Sequence, residues 1–157
     1  LFLMFLTSTL YHSMPFDSPQ KAIFRILDHI CIYLAIAGTY TPVALCIIQG
    51  WQGIVILCIQ WIMVFIGILY KSIATSSMPK LSLTIYLIMG WTAVLFIRSL
   101  VMNSSFAFLA FILFGGILYS IGAYFYAKAS MKYSHVIWHI FIVFASLLHV
   151  LAVVFYM

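Results

Sequence analysis

The sequence predicts an all-α polytopic bundle of transmembrane helices, and three observations carry that expectation. Of 157 residues, 67% are hydrophobic and only 6% charged, a balance that a water-soluble domain of this size cannot hold without exposing large apolar patches. The apolar residues fall into runs of roughly 20, the length a helix needs to cross a hydrocarbon core of about 30 Å. Short polar stretches that hold nearly all the Lys and Arg separate these runs, as they do in multi-pass proteins.

Six helical segments follow in order, over about 1–13, 27–48, 53–70, 81–102, 106–127 and 135–156. The breaks between them are turn-type or polar: Met14 to Pro19, Gln49 to Gly53, Ser76 to Pro79, Asn103 to Ser105, and Lys128 to Ser134. As a helix the first segment is roughly 18 Å long, too short to cross. It opens at Leu1 with neither a basic n-region nor an initiator Met. The expectation is therefore a single transmembrane domain over residues 1–157, N-terminally truncated, with the first helix and the start of the second missing. In the second segment Pro42 removes one backbone hydrogen bond and frees the Gly38 carbonyl, which predicts a bend with Thr39 and Thr41 as substitute donors. In the fifth, Gly115, Gly116 and Ser120, and Ala123 with Ala127, are small residues at helical spacing that let neighbouring helices approach closely.

Basic residues set the expected orientation. The first connection holds Lys21 and Arg25, the third Lys71 and Lys80, the fifth Lys128 and Lys132; the second has none and the fourth only Arg98. Retention of Lys and Arg in the cytoplasm puts the odd connections inside and the C-terminus outside a cell membrane, with seven spans in the parent protein. The formal charge of +5 is scattered among these loops and forms no stripe, which excludes nucleic acid as a partner and leaves membrane lipids. Cys31, Cys46 and Cys58 lie within apolar runs at no metal-binding spacing.

Ionisable side chains inside spans are expensive and mark sites. This topology brings His12, Asp28, His135 and His139 to one depth near the cytoplasmic face. His135 and His139, at i and i+4, share a helix face, and His12 offers a third nitrogen from another helix. Three imidazoles suit Zn²⁺ with a fourth position open, as in catalytic sites. Asp28 is placed to orient or deprotonate a water there, and Ser8, one turn from His12, to hydrogen-bond a ligand or a developing oxyanion. Each residue has a plainer account: interfacial histidines beside Trp138 and Tyr133, and an Asp28–Arg25 pair three residues apart. His149 lies about 15 Å along the helix from His139, too far to share the ion, and His29 is turned about 100° from Asp28.

Ser8-Thr9-Leu10-Tyr11-His12, Leu27-Asp28-His29 leading to Ile36-Ala37-Gly38-Thr39-Tyr40-Thr41-Pro42, and His135-Val136-Ile137-Trp138-His139 resemble the three signature blocks of the hemolysin III family. That family is the bacterial branch of the progestin and adipoQ receptor family, and the resemblance spans essentially the whole chain. It implies a seven-helix membrane protein with zinc on His12, His135 and His139 and a water held by Asp28. Ser8 belongs to a pattern shared with alkaline ceramidases, which implies hydrolysis of a lipid amide or ester. Three roles follow as expectations: a zinc-dependent lipid hydrolase, a channel-forming cytolysin, and a non-catalytic receptor or membrane-homeostasis sensor with zinc as a clasp. A haem held between two helices is a fourth.

Overall fold

The computed structural model describes residues 1–16, 18–73, 79–128 and 130–157, without the side chains of Pro79 and Lys80. Among them the architecture is all-α. The helices are α1 (Phe2–Ser13), α2 (Pro19–Pro42), α3 (Gly50–Ile73), α4 (Pro79–Trp91), α5 (Ile97–Asn103), α6 (Phe106–Ala127) and α7 (Ser134–Phe155). A π-helical stretch, Val43–Ile48, prolongs α2, and a 3-10 stretch, Thr92–Phe96, joins α4 to α5. Five of the resulting rods, Pro19–Ile48, Gly50–Ile73, Leu81–Asn103, Phe106–Ala127 and Ser134–Phe155, are long and apolar enough to span a bilayer. Large apolar side chains such as Phe65, Leu69 and Phe144 are exposed on their outer faces, as lipid-facing surfaces require.

Helix α2 begins at Pro19, well before the expected residue 27. Ser18 caps it, its hydroxyl accepting the Lys21 N–H at 3.3 Å, and Pro19 fills the first helical position. Lys21 and Arg25 therefore ride on the first turns of α2, and Lys71 on the last turn of α3. An apolar window misses these turns because they are polar, although the backbone is already helical.

Pro42 marks the expected disturbance, expressed as a switch to π-helical bonding, with the Gln49 N–H reaching the Ala44 carbonyl at 2.9 Å. The threonines act differently from expectation. Thr39 donates to Ala35 O and Thr41 to Ala37 O, each at 2.8 Å, so neither serves the Gly38 carbonyl. Each simply reaches the carbonyl one turn before itself.

The span read as one helix over 81–102 is interrupted at Thr92–Phe96. A helix broken in the hydrocarbon needs new partners for its backbone groups. The Tyr40 hydroxyl supplies two of them, donating to Gly90 O at 2.6 Å and accepting from the Ala93 N–H at 2.9 Å. Fully buried Gln60 donates to Met89 O at 3.0 Å.

The most extensive helix pair is α6 with α7, followed by α2 with α3 and α1 with α2. The α6–α7 approach is close at Gly115, where a Cβ would fall 2.3 Å from the His149 ring, and at Gly122, where it would fall 2.9 Å from the Phe141 Cβ. Gly116 faces elsewhere, nearest Trp91 at 3.9 Å. Between α2, α4, α6 and α7 lies a mainly apolar cavity of about 350 Å³, lined by side chains that include Ile32, Tyr40, Leu87, Phe108, Trp138 and His149.

Candidate metal centre

Helix α1 ends with His12 in its last turn, and α7 opens with His135 and His139 in its first two turns. Tyr133, at φ +66°, turns the chain just before α7. The His135 Nε2 lies 3.2 Å from the His12 Nε2 and 3.0 Å from the His139 Nε2. One ligand nitrogen from each ring falls within 4.8 Å of the others.

Hydrogen bonding alone satisfies this arrangement poorly. A neutral ring nitrogen carries either one N–H or one lone pair, yet the His135 Nε2 faces two other Nε2 atoms. A cation shared by three lone pairs removes the conflict. Two nitrogens at 2.0–2.1 Å from one tetrahedral zinc would stand about 3.3 Å apart, close to the spacing of both contacts. The residues fit the metal.

Asp28 is buried, 7% exposed, and so is Ser8, at 9%. The Ser8 hydroxyl and the His12 ring lie on the side of the Asp28 carboxylate, and Tyr126 and Tyr86 are within electrostatic reach of it as well. Ser8 and His12 lie one turn apart on α1, so a single helix face presents both to α2. Arg25 forms no ion pair with Asp28; among the described residues no ion pair occurs at all. All five residues singled out in the sequence thus lie in one neighbourhood: three imidazoles in direct contact, with Ser8 and Asp28 on the α1–α2 side.

Two histidines stand apart, as their spacing predicts. The His149 Nε2–H donates to Ile112 O at 3.2 Å, and the His29 Nδ1 pairs with Arg25 O at 2.7 Å. Trp138 departs from the interfacial role considered for it. It is 9% exposed and its ring centroid lies 5.3 Å from that of His135 and 4.8 Å from that of His139. Tyr126 of α6, which the sequence does not single out, lies tilted against both rings, its centroid 4.6 Å from that of Trp138 and 5.9 Å from that of His135. An aromatic in the last turn of an apolar helix carries no signal that separates it from core packing. Tyr133 does remain exposed.

A family model described as "Haemolysin-III related" matches residues 1–150. Hemolysin-3 of Bacillus cereus is 40% identical over 156 residues, covering 99% of this chain and 71% of that protein. The Hemolysin-3 homolog of Bacillus subtilis (strain 168) is 37% identical over 156 residues, 99% of this chain and 73% of that protein. The human monocyte to macrophage differentiation factor is 25% identical over 155 residues, 96% of this chain and 64% of that protein. No solved structure matches significantly. With its repeated apolar spans and a family match over nearly its full length, the chain belongs to the haemolysin-III related family of multi-pass membrane proteins.

Proposed function

We propose that this protein is a metal-dependent hydrolase of a lipid amide or ester, working near the cytoplasmic face of the membrane. The observation that carries the reading is the meeting of three Nε2 atoms from α1 and α7 beside a buried carboxylate. His12, His135 and His139 would hold zinc. Bound there, zinc supplies Lewis acidity that polarises a carbonyl oxygen. Asp28, little hydrated and acceptor-only when ionised, orients a water and takes its proton. The Ser8 hydroxyl, already beside that carboxylate, steadies it or donates to oxygen as negative charge develops. Trp138 and Tyr126 wall the imidazoles from the bundle interior and restrict their rotation. Lipid carbonyls lie at the membrane interface, and the basic residues that argue for a cytoplasmic location sit at the same end as the histidines.

Activity on ceramide-like lipids is the test. The purified protein should hydrolyse them, Asp28→Ala should lose turnover while keeping its metal, and His139→Ala should lose both. Full activity in metal-stripped protein contradicts the proposal.

A specific observation also favours the clasp. Helix α1 packs mainly on α2, and the imidazole contacts tie its end to α7, which suits a structural metal. Bound metal without turnover on any lipid, and release of α1 when metal is removed, would select that role. The cytolytic role suggested by the relatives' name finds less support, because the cavity between the helices is mainly apolar whereas a conducting path needs polar lining. Conductance in liposomes that survives replacement of all three histidines would favour it.

A further inference from the structure

The wall of the cavity between α2, α4, α6 and α7 is mainly apolar, and most of its polar side chains are already engaged. The Tyr40 hydroxyl bridges Gly90 O and the Ala93 N–H. The Tyr86 hydroxyl donates to His29 O at 3.1 Å, Trp91 Nε1 donates to Ser120 Oγ at 3.0 Å, and Tyr119 shares a hydrogen bond of 2.7 Å with Ser146 Oγ. Two ring nitrogens of α7 differ: among the described residues no hydrogen bond reaches Trp138 Nε1 or His149 Nδ1, although both side chains line the cavity. Neither is among the sealed, unpartnered side-chain atoms, which are Tyr33 Oη, Gln60 Oε1 and Tyr70 Oη. Both nitrogens are therefore within reach of a small molecule.

The His149 ring is held from three directions. Its Nε2 reaches Ile112 O at 3.2 Å, its Cδ2–Nε2 edge lies against Gly115, and the Tyr119 ring meets it edge-on with centroids 5.4 Å apart. A carbonyl only accepts, so Nε2 carries the hydrogen and Nδ1 a lone pair. In an imidazole Nδ1 stands opposite the Cδ2–Nε2 edge, so the packing that covers one side of the ring turns the lone pair away from α6. The result is an acceptor of fixed direction in an apolar wall. Such an atom favours a ligand that donates to it over one of the same shape that cannot. Trp138 precedes His149 by 11 residues, about three turns, which puts the two on one face of α7 roughly 16 Å apart along the axis. Val94, Ile97 and Leu113 line the same cavity while 52% exposed, so its wall is shared with the surface that faces lipid.

We propose that the cavity binds an elongated apolar molecule bearing a hydroxyl group, taken from the bilayer, and that His149 Nδ1 accepts the hydroxyl hydrogen and sets the preference for a donor at that position. The indole N–H of Trp138 is left for an oxygen toward the other end of the ligand. Binding needs no metal, so it stands independently of the hydrolase reading.

The probes are tetradecanol and its methyl ether, which has the same chain and no hydrogen to donate, each competed against radiolabelled tetradecanol on the purified full chain. The ratio of the two affinities cancels their different partition into detergent. In His149→Phe, which keeps an aromatic ring against Gly115, the preference for the alcohol should fall about threefold or more while the ether binds within about twofold of the parent. Tyr119→Phe, which alters a hydroxyl already paired with Ser146, should leave the preference within about twofold. Nitrogen NMR of the parent, labelled in its histidine rings, gives a readout that needs no variant: the His149 Nδ1 resonance should move when the alcohol is added and stay when the ether is. A resonance that neither ligand moves, or an equal preference in parent and His149→Phe, overturns the proposal. His139→Ala should keep the parent's preference, so failure of the metal reading and failure of this one are separately visible.

Discussion

The His135 Nε2 is the most constrained atom of the site, facing two nitrogens with only one hydrogen or one lone pair to offer. Metal removal should therefore cost stability as well as any activity. Chelation is expected to lower the thermal midpoint of the purified protein, while His12→Ala, already lacking a ligand, should bind about tenfold to a hundredfold less metal and lose that response to chelator. Elemental analysis beside a melting curve checks both; equal midpoints before and after stripping would argue against a resident metal. Asp28→Asn should retain metal, because the carboxylate stands beside the histidine cluster rather than within it. Much of this site is legible in the sequence. The i, i+4 pair shares a face by helix geometry alone, and His12 joins it because antiparallel spans bring alternate ends together. The wall is not legible: Trp138 reads equally as an interfacial anchor, and only the close approach of α6 at Gly122, where a Cβ would run into Phe141 and Trp138, leaves it buried between the helices.

At the scale of the helices, two contacts decide where backbones meet and break. Gly115 packs on the His149 ring at a distance that admits no Cβ without displacement, whereas Gly116 has only Trp91 nearby, at 3.9 Å. Gly115→Val should destabilise by about 1–3 kcal/mol in chemical denaturation from detergent micelles, and Gly116→Ala should lie within about 0.5 kcal/mol of the parent. Comparable losses would mean that α6 and α7 do not pack as described. Tyr40→Phe removes the bridge across the α4–α5 interruption, leaving Gly90 O and the Ala93 N–H without that partner. A loss of about 1–3 kcal/mol is expected in the same measurement. These contacts explain which elements a sequence reveals. Hydrophobic runs report spans because lipid demands them, and the apolar cores of α3, α6 and α7 are found that way. The early start of α2 is hidden by the polarity of its first turns, despite a readable Ser18-Pro19 cap. The interruption at Thr92–Phe96 is hidden for a different reason: its stabilising group, Tyr40, lies on another helix, 50 residues before Gly90 in the bond it makes.

For the molecule as a whole, the asymmetry of charge carries more weight than the total. Lys21 and Arg25 open α2, Lys71 closes α3, Lys80 opens α4, and Lys128 and Lys132 lie between α6 and α7. Antiparallel connection puts all six at the end where the three imidazoles meet, leaving Arg98 on α5, toward the opposite end. Helical starts and stops shift these residues from loops onto helix ends, yet the bias survives because orientation depends on charge near the ends of spans rather than on which backbone carries it. The histidine end should therefore face the cytoplasm and Phe155 the outside. In a bacterial host, alkaline phosphatase fused after Met157 should be active and a fluorescent protein fused there dark, with the reverse for fusions between Lys128 and Ser134. Moving three lysines, by Lys71→Gln, Lys128→Gln and Lys132→Gln with compensating Lys at Gln49, Asn103 and Ser104, should erode that polarity, since it removes the bias without altering any apolar run. Active phosphatase at the 128–134 connection of the unaltered protein would reverse the orientation, and would place the three-histidine cluster at the outer face instead.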